Sequence, residues 1–358
     1  MKKPLFEYFV LTCFVLFLIG LKGGYVQGNA AVAEEESNVI WEDDFNTSSI
    51  NRAKWDFEYG YVRNFELQEY GDSPQNAFIR DGTLVIRATR DDQGKWASAC
   101  LMTNNKFEVG NARIEARIKI PKKNGAFPAF WMLGAGYEID YKKQVELGDS
   151  WLAAREIDIM ESFGKGMNVQ GGVFFQETSE ATALSHYFAT SQEIDITQFH
   201  IYAIEKSDHK MDFYCDGNLY YSYEIKDKGL RDPFYLLLNL AVGSAGGTPD
   251  PKTTEMEMVV DYVRVTTLDG GPATELSSIS LEKAAIYGRA GDIKKIGLKL
   301  SPLKAQNKTV VWKSSDSRVA SVYGGFVHMK KAGTCTITAT TYNGLSVTCR
   351  VVCRSNKE

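Results

Sequence analysis

Histidine is scarce, with four residues in 358, and none forms a His-x-x-x-His pair. Cys-x-x-Cys is also missing, so a zinc centre of ordinary ligand spacing is excluded. There is no basic block, and a net charge of −4 argues against nucleic acid as a partner. No apolar run reaches the ~20 residues that span a bilayer. The stretch from Tyr8 to Leu21, behind Lys2 and Lys3, is too short and matches a secretory signal. Ala31-Val32-Ala33 offers a cleavage site, with Gly28-Asn29-Ala30 as a competitor; an uncleaved anchor is the alternative. Cys13 follows Leu11-Thr12, a poor lipobox. Removing a signal over residues 1–33 leaves five of the six cysteines, so at least one stays unpaired or joins another chain. Cys335 with Cys353 is one conceivable disulfide. No long segment carries the 3.6-residue period of a helix.

What the chain does contain is short alternating strands between turn signals. Thr83 to Ala88, Ala112 to Ile120, Met211 to Cys215, Phe234 to Val242 and Met256 to Val265 read this way. Asp81-Gly82 and Asp216-Gly217 supply turns between them. With 44% hydrophobic and 24% charged residues, the composition is that of an ordinary globular protein. The fold class is all-β, a two-sheet sandwich over residues 34–268. Asp269-Gly-Gly-Pro-Ala273 lies in a linker, 269–275. Residues 276–358 then change character, with Ser, Thr and Lys alternating with small residues and Asn343-Gly344 as a hairpin turn. About 80 residues of short strands suggest a second, smaller sandwich. Trp312 in it could be a sugar platform, but a core position suits it better.

The chemistry concentrates in Arg155-Glu156-Ile157-Asp158-Ile159-Met160-Glu161-Ser162. On a helix, Glu156 and Glu161 would stand roughly 140° apart. On a strand, Glu156 and Asp158 share one face and Ile157 and Ile159 the other. Strict alternation would turn Glu161 inward; a β-bulge at Ile159-Met160 brings it back beside the other acids. Three like charges on one face make a poor stability device. They suit glycoside hydrolysis, which needs one carboxylate as nucleophile and one carboxyl group held protonated as acid. An exposed edge strand with solvated acids is the plain alternative.

This run resembles the signature of glycoside hydrolase family 16 in its bulged Glu-x-Asp-x-x-Glu form, laminarinase-like. The likeness extends from about Val39 to Thr267. It takes in Trp41-Glu-Asp-Asp-Phe45, Asn64-Phe-Glu-Leu-Gln68, Gly110-Asn-Ala-Arg-Ile-Glu-Ala-Arg117, Phe127-Pro-Ala-Phe-Trp-Met-Leu133, Asn239-Leu-Ala-Val-Gly243 and Asp261-Tyr-Val-Arg-Val265. The resemblance implies a β-jelly roll with a cleft on its concave sheet, Glu156 as nucleophile, Asp158 as its helper and Glu161 as acid/base. It also implies substrate contacts from Asn64, Trp131 and Trp151, with Asn239 weaker. No cofactor is required for catalysis. A structural calcium ion, as in many relatives, would use Asp44 and Asp261, oxygen ligands that suit this ion. The C-terminal segment looks like a bacterial immunoglobulin-like domain of group 2, a type that usually acts as spacer or adhesive unit.

Several positions depart from the family pattern. Phe127 stands where β-1,3-glucanases usually carry Trp, Arg155 where a Gly precedes the nucleophile, and Cys100 where an Arg is usual. Phe174, in Gln170-Gly-Gly-Val-Phe-Phe175, occupies the place of a frequent active-site His. Gly134 to Ser150 looks like an inserted loop whose Tyr137 and Tyr141 could wall one end of the cleft. The expectation is a bacterial protein, secreted or held at the cell surface. It would be a retaining endo-β-glycanase on β-1,3- or mixed-linkage β-1,3/1,4-glucan, with polysaccharide as its partner. The rivals are an endo-β-galactosidase on galactose-containing glycans and a non-catalytic glycan-binding protein. The C-terminal domain would make cell-surface or glycan contacts.

Overall fold

The computed structural model describes residues 38–143, 145–176 and 184–355. The expected signal segment, its cleavage sites and Cys13 lie outside the described residues. Among those described, no helix is long and apolar enough to cross a membrane.

Two large antiparallel-dominated sheets form the first sandwich. The one that matters for function has seven strands, in the order Leu184–Thr190, Gln170–Gln176, Glu156–Glu161, Ala126–Gly134, Phe234–Val242, Cys100–Met102 and Asp56–Phe57. A ten-stranded sheet, with Ala112–Lys119 and Glu255–Thr266 at its centre, closes the other side. The apolar faces of both meet in one core containing Leu84, Ile114, Phe130, Leu238 and Val263.

Period two sorts the side chains of the seven-stranded sheet. Along Phe234–Val242, Phe234, Leu236, Leu238 and Leu240 enter the core between the sheets. Tyr235 and Leu237 turn to the outer face, where they pack with Cys100, Ala129, Trp131 and Leu133. The strand Glu156–Glu161 departs from this rule. Its pairing with Ala126–Gly134 runs Asp158↔Trp131 and then Met160↔Phe130, leaving Ile159 as an extra residue. Ile157, Ile159 and Met160 are all buried in the core. Each is worth roughly 1.5–3 kcal/mol in buried apolar surface, and without the slip one acid would have to replace an apolar side chain there.

The strands from Ser278 to Arg354 form a second, smaller β-sandwich around Ile286, Ile296, Val327, Ile337 and Val351. Cys335, Cys349 and Cys353 are buried members of that core, and all five described cysteines are unpaired. The conceivable Cys335–Cys353 disulfide is therefore not formed. The register sets Cys335 opposite Val351 and Cys353 opposite Gly333, so the two thiols are not cross-strand partners. Trp312 packs against the same core and forms no platform isolated from it.

The described residues belong to one compact unit. The two sandwiches are joined by backbone: Lys308 N–H donates to Glu108 O at 2.7 Å and Gly110 N–H to Gln306 O at 2.8 Å.

Candidate active site

Glu156, Asp158 and Glu161 open into a single recess, shared with Arg63, Asn64, Glu66, Phe127, Ala129, Trp131 and Asn239. A cavity of about 250 Å³ adjoins it, lined by Val62, Arg63, Asn64, Leu133, Tyr137, Glu146, Trp151 and Glu156. Glu156 belongs to both, at the junction of the two spaces.

The three acids do not share one electrostatic environment. Burial, reinforced by neighbouring carboxylates, pushes Glu161 up to about 8 and holds Asp158 well above the usual carboxylate range. Burial also raises Glu156, to about 7, but two groups oppose it. Trp151 Nε1–H donates to Glu156 Oε2 at 2.7 Å. The Arg63 guanidinium supplies positive charge. Glu161 has neither partner. Of the two glutamates, Glu156 is the easier to ionise and Glu161 the one that keeps a proton.

Trp131 is rigidly held. Its Nε1–H donates to Asn239 Oδ1 at 2.7 Å, and Asn239 Nδ2–H donates to Tyr70 Oη at 2.9 Å. Arg63 lies over the Trp131 ring, 4.9 Å from its centroid. Asn239, read as a weak candidate, thus fixes Trp131 and lines the recess. Asn64 sits in a loop with left-handed backbone at Asn64 and Phe65 (φ 58° and 52°), so the turn reading and the lining position both apply. Tyr137 walls the adjoining cavity, and Tyr141 Oη donates to Glu58 Oε1 at 3.4 Å.

Arg63 was not recognised in the sequence. It ion-pairs with Glu58, which is fully buried, and lies close to Cys100. A cation therefore reaches this region from the loop before Asn64, although position 100 carries none. The only signal was a lone Arg at the edge of the Asn64 run. Also missed was an aromatic row leading away from the carboxylate strand. Phe174 stands directly opposite Glu156, and His186 opposite Phe174. The Phe174 and His186 rings stack at 3.6 Å, His186 and Phe188 at 4.5 Å, and Phe188 is 52% exposed.

Arg155 has φ 69° and ψ 153°, a conformation that glycine adopts freely and other residues do not. Arg155 thus holds a backbone shape that a Gly at this position would take without strain. Arg155 is held there by Asp227, whose Oδ1 accepts from Nε at 2.8 Å.

The residues proposed for calcium are otherwise engaged. Asp261 Oδ2 accepts from Arg117 Nη1 at 2.6 Å, and both Asp44 oxygens accept from Asn46. A guanidinium at the Asp261 carboxylate opposes a cation there, and calcium needs six to eight oxygens, so the pair as placed does not fit the ion. Among the described residues, His200, Cys215 and Asp216 cluster at metal-binding distance. Both His200 ring nitrogens already meet Asp216 Oδ2 and Asp195 O.

A β-sandwich with paired carboxyl groups in a recess walled by tryptophans defines a sugar-cleaving class of enzyme. The chain belongs to glycosyl hydrolases family 16, whose pattern matches residues 66–264. It is 32% identical to a beta-glucanase of Rhodothermus marinus over 63% of this chain and 84% of that protein. It is 29% identical to a glucan endo-1,3-beta-glucosidase A1 of Niallia circulans, over 64% of this chain. There it spans only 37% of the relative's length. The solved structure of LamAcat from Zobellia galactanivorans superposes with a TM-score of 0.57 at 27% identity, covering 64% of this chain and 97% of that one.

Proposed function

We propose that the chain is an exported endo-acting β-glucanase that hydrolyses β-1,3- or mixed-linkage β-1,3/1,4-glucan with retention of configuration. Glu156, ionised, attacks the anomeric carbon while Glu161 gives its proton to the departing glycosidic oxygen. The bond to the leaving sugar breaks and a Glu156–glycosyl ester forms. Glu161, now a carboxylate, takes a proton from water, which displaces Glu156 and restores both groups. Asp158, buried between them, stays protonated and donates toward the nucleophile. The observation that carries this reading is the unequal treatment of the two glutamates: Trp151 and Arg63 favour charge on Glu156, and nothing comparable does so on Glu161.

Trp131 and Trp151 offer ring faces to pyranoses, Asn64 a polar edge, and the row of Phe174, His186 and Phe188 extends the binding surface beyond the nucleophile. The C-terminal sandwich is read as an immunoglobulin-like module.

The test is Glu156→Gln, which keeps the shape and removes the nucleophile. Reducing-end release from β-1,3-glucan should vanish while calorimetric affinity for a β-1,3-linked oligosaccharide persists. Undiminished release would reject Glu156 as nucleophile. An initial product of inverted anomeric configuration would reject the double displacement. The apolar ring of Phe174 opposite Glu156, at the place of a frequent family His, favours one second reading, an endo-β-galactosidase. Hydrolysis of galactans but of no glucan would select it.

A further inference from the structure

The loop that carries Trp151 is gripped from outside the catalytic sandwich. Its hairpin pairs Ile139–Asp140 with Val145–Glu146, and Glu146 Oε1 accepts from the Trp151 backbone N–H at 3.0 Å. Three groups of the C-terminal sandwich reach this loop, all from its three-stranded sheet. His328 Nε2 meets Leu147 O at 2.5 Å. Lys295 Nζ pairs with Asp149 Oδ2 at 3.2 Å. Gly324, at the hairpin tip, lies so near the Ala135 and Gly136 carbonyls that an added Cβ would stand 3.2 and 3.1 Å from them.

The His328 and Lys295 contacts fall on the loop's far limb, four and two residues before Trp151, and Gly324 meets the near limb at Ala135 and Gly136. A separate attachment anchors the C-terminal sandwich to the sheet of the active site. Glu108 and Gly110 bond to Gln306 and Lys308, and Val109 exchanges two backbone bonds with Phe234. The sandwich thus spans from the rim of the sheet to the loop, over a cavity of about 340 Å³. A spacer or adhesive unit needs no such second foothold.

We infer that the C-terminal sandwich is a buttress that sets the position of Trp151, and through it the charge on Glu156 and the wall of the adjoining cavity. Lys295 and His328 are positioning residues for the hydrolysis. The inference rests on Glu156 being the nucleophile for its kinetic consequence, though not for its structural one. The other titratable and charged groups that face Glu156 are Arg63, Glu58 and Glu66 from the 58–66 loop, Tyr137 and Glu146 from the loop that leads to Trp151, and Asp158 and Glu161 from its own strand.

The test compares Lys295→Glu, His328→Ala and Lys295→Arg in the full chain. Reversing the charge beside Asp149 should raise KM for a β-1,3-glucan oligosaccharide about threefold to fivefold, the scale of a partly exposed ion pair. It should also move the acid limb of kcat/KM upward, because a displaced Trp151 no longer favours ionised Glu156. His328→Ala should act in the same direction, while Lys295→Arg should match the unaltered protein. Amide exchange across residues 145–151, read by mass spectrometry, should quicken in the first two variants whether or not any glucan is cleaved. Unchanged exchange in both would overturn the buttress outright. Quickened exchange with KM and acid limb unmoved would overturn its link to the nucleophile. An inactive unaltered protein with quickened exchange in the variants would refute the glucanase reading and leave the buttress standing.

Discussion

Trp151→Phe isolates one hydrogen bond at the reacting centre. Phenylalanine keeps an aromatic ring near Phe174, whose centroid lies 6.3 Å from that of Trp151, and removes the indole N–H with the five-membered part of the ring. That N–H reaches Glu156 Oε2 at 2.7 Å in a part-buried setting. A hydrogen bond to a charged group is worth about 1.5–3 kcal/mol. At ~1.4 kcal/mol per pH unit, its loss should raise the ionisation of Glu156 by about one to two pH units. The sign follows from which form is favoured: a donor stabilises the carboxylate, so removing it moves the acid limb up from about 7. The assay is initial reducing-end release from a soluble β-1,3-glucan, with kcat/KM measured from about pH 4 to 10, since that ratio reports the free enzyme. On the acid side, activity should fall about tenfold or more at a fixed pH, and should recover in part above the new limb. An acid limb that stays in place, or moves down, would refute Trp151 as the group that keeps Glu156 ionised.

Glu161→Gln should reduce hydrolysis by about 10²–10⁴, the usual worth of a general acid, whereas deleting Ile159 restores plain alternation and leaves Glu161 on the cleft face with measurable activity. Equal activity of the two variants, with folding checked by circular dichroism, would contradict the count of faces. Lys206 is fully buried, its Nζ has no hydrogen-bond partner and lies 5.4 Å from the Phe234 ring centroid, and burial lowers it to about 8. Lys206→Met should raise unfolding free energy by about 1–3 kcal/mol below pH ~8. The unfolded lysine keeps its proton to about pH 10.4, so the unaltered protein gains stability between those values and the advantage of methionine fades. An advantage that does not shrink on approaching pH 10 in urea titrations would exclude a buried charge as its cause.

The sheet that bears the site was legible because its strands obey period two with few polar interruptions. Phe234–Val242 was read with its observed limits, and Ala112 to Ile120 and Met256 to Val265 to within a residue or so. The carboxylate strand was legible through its violation of the same rule. Three acids and three apolar residues in six places can be sorted onto two faces only if one residue is extra, and the register does slip at Ile159. Trp151 was named through the family likeness, but the other groups around the acids were not legible in the same way. Arg63 acts on Glu156 by its charge, from a loop whose left-handed turns leave no periodic trace, and Phe174 and His186 meet only after two strands pair. Least visible was the hold of the C-terminal sandwich on the Trp151 loop, since Lys295 and Asp149 stand 146 positions apart. Alternation reports which way a side chain faces relative to its own sheet and nothing of what a distant element brings against it. Identity of the reacting groups is therefore written locally, while their protonation is set by partners that only the closed fold assembles. By that logic, differences in specificity between this chain and its relatives should arise at such partners, Arg63, Phe174 and the gripped loop, before they arise at the acids.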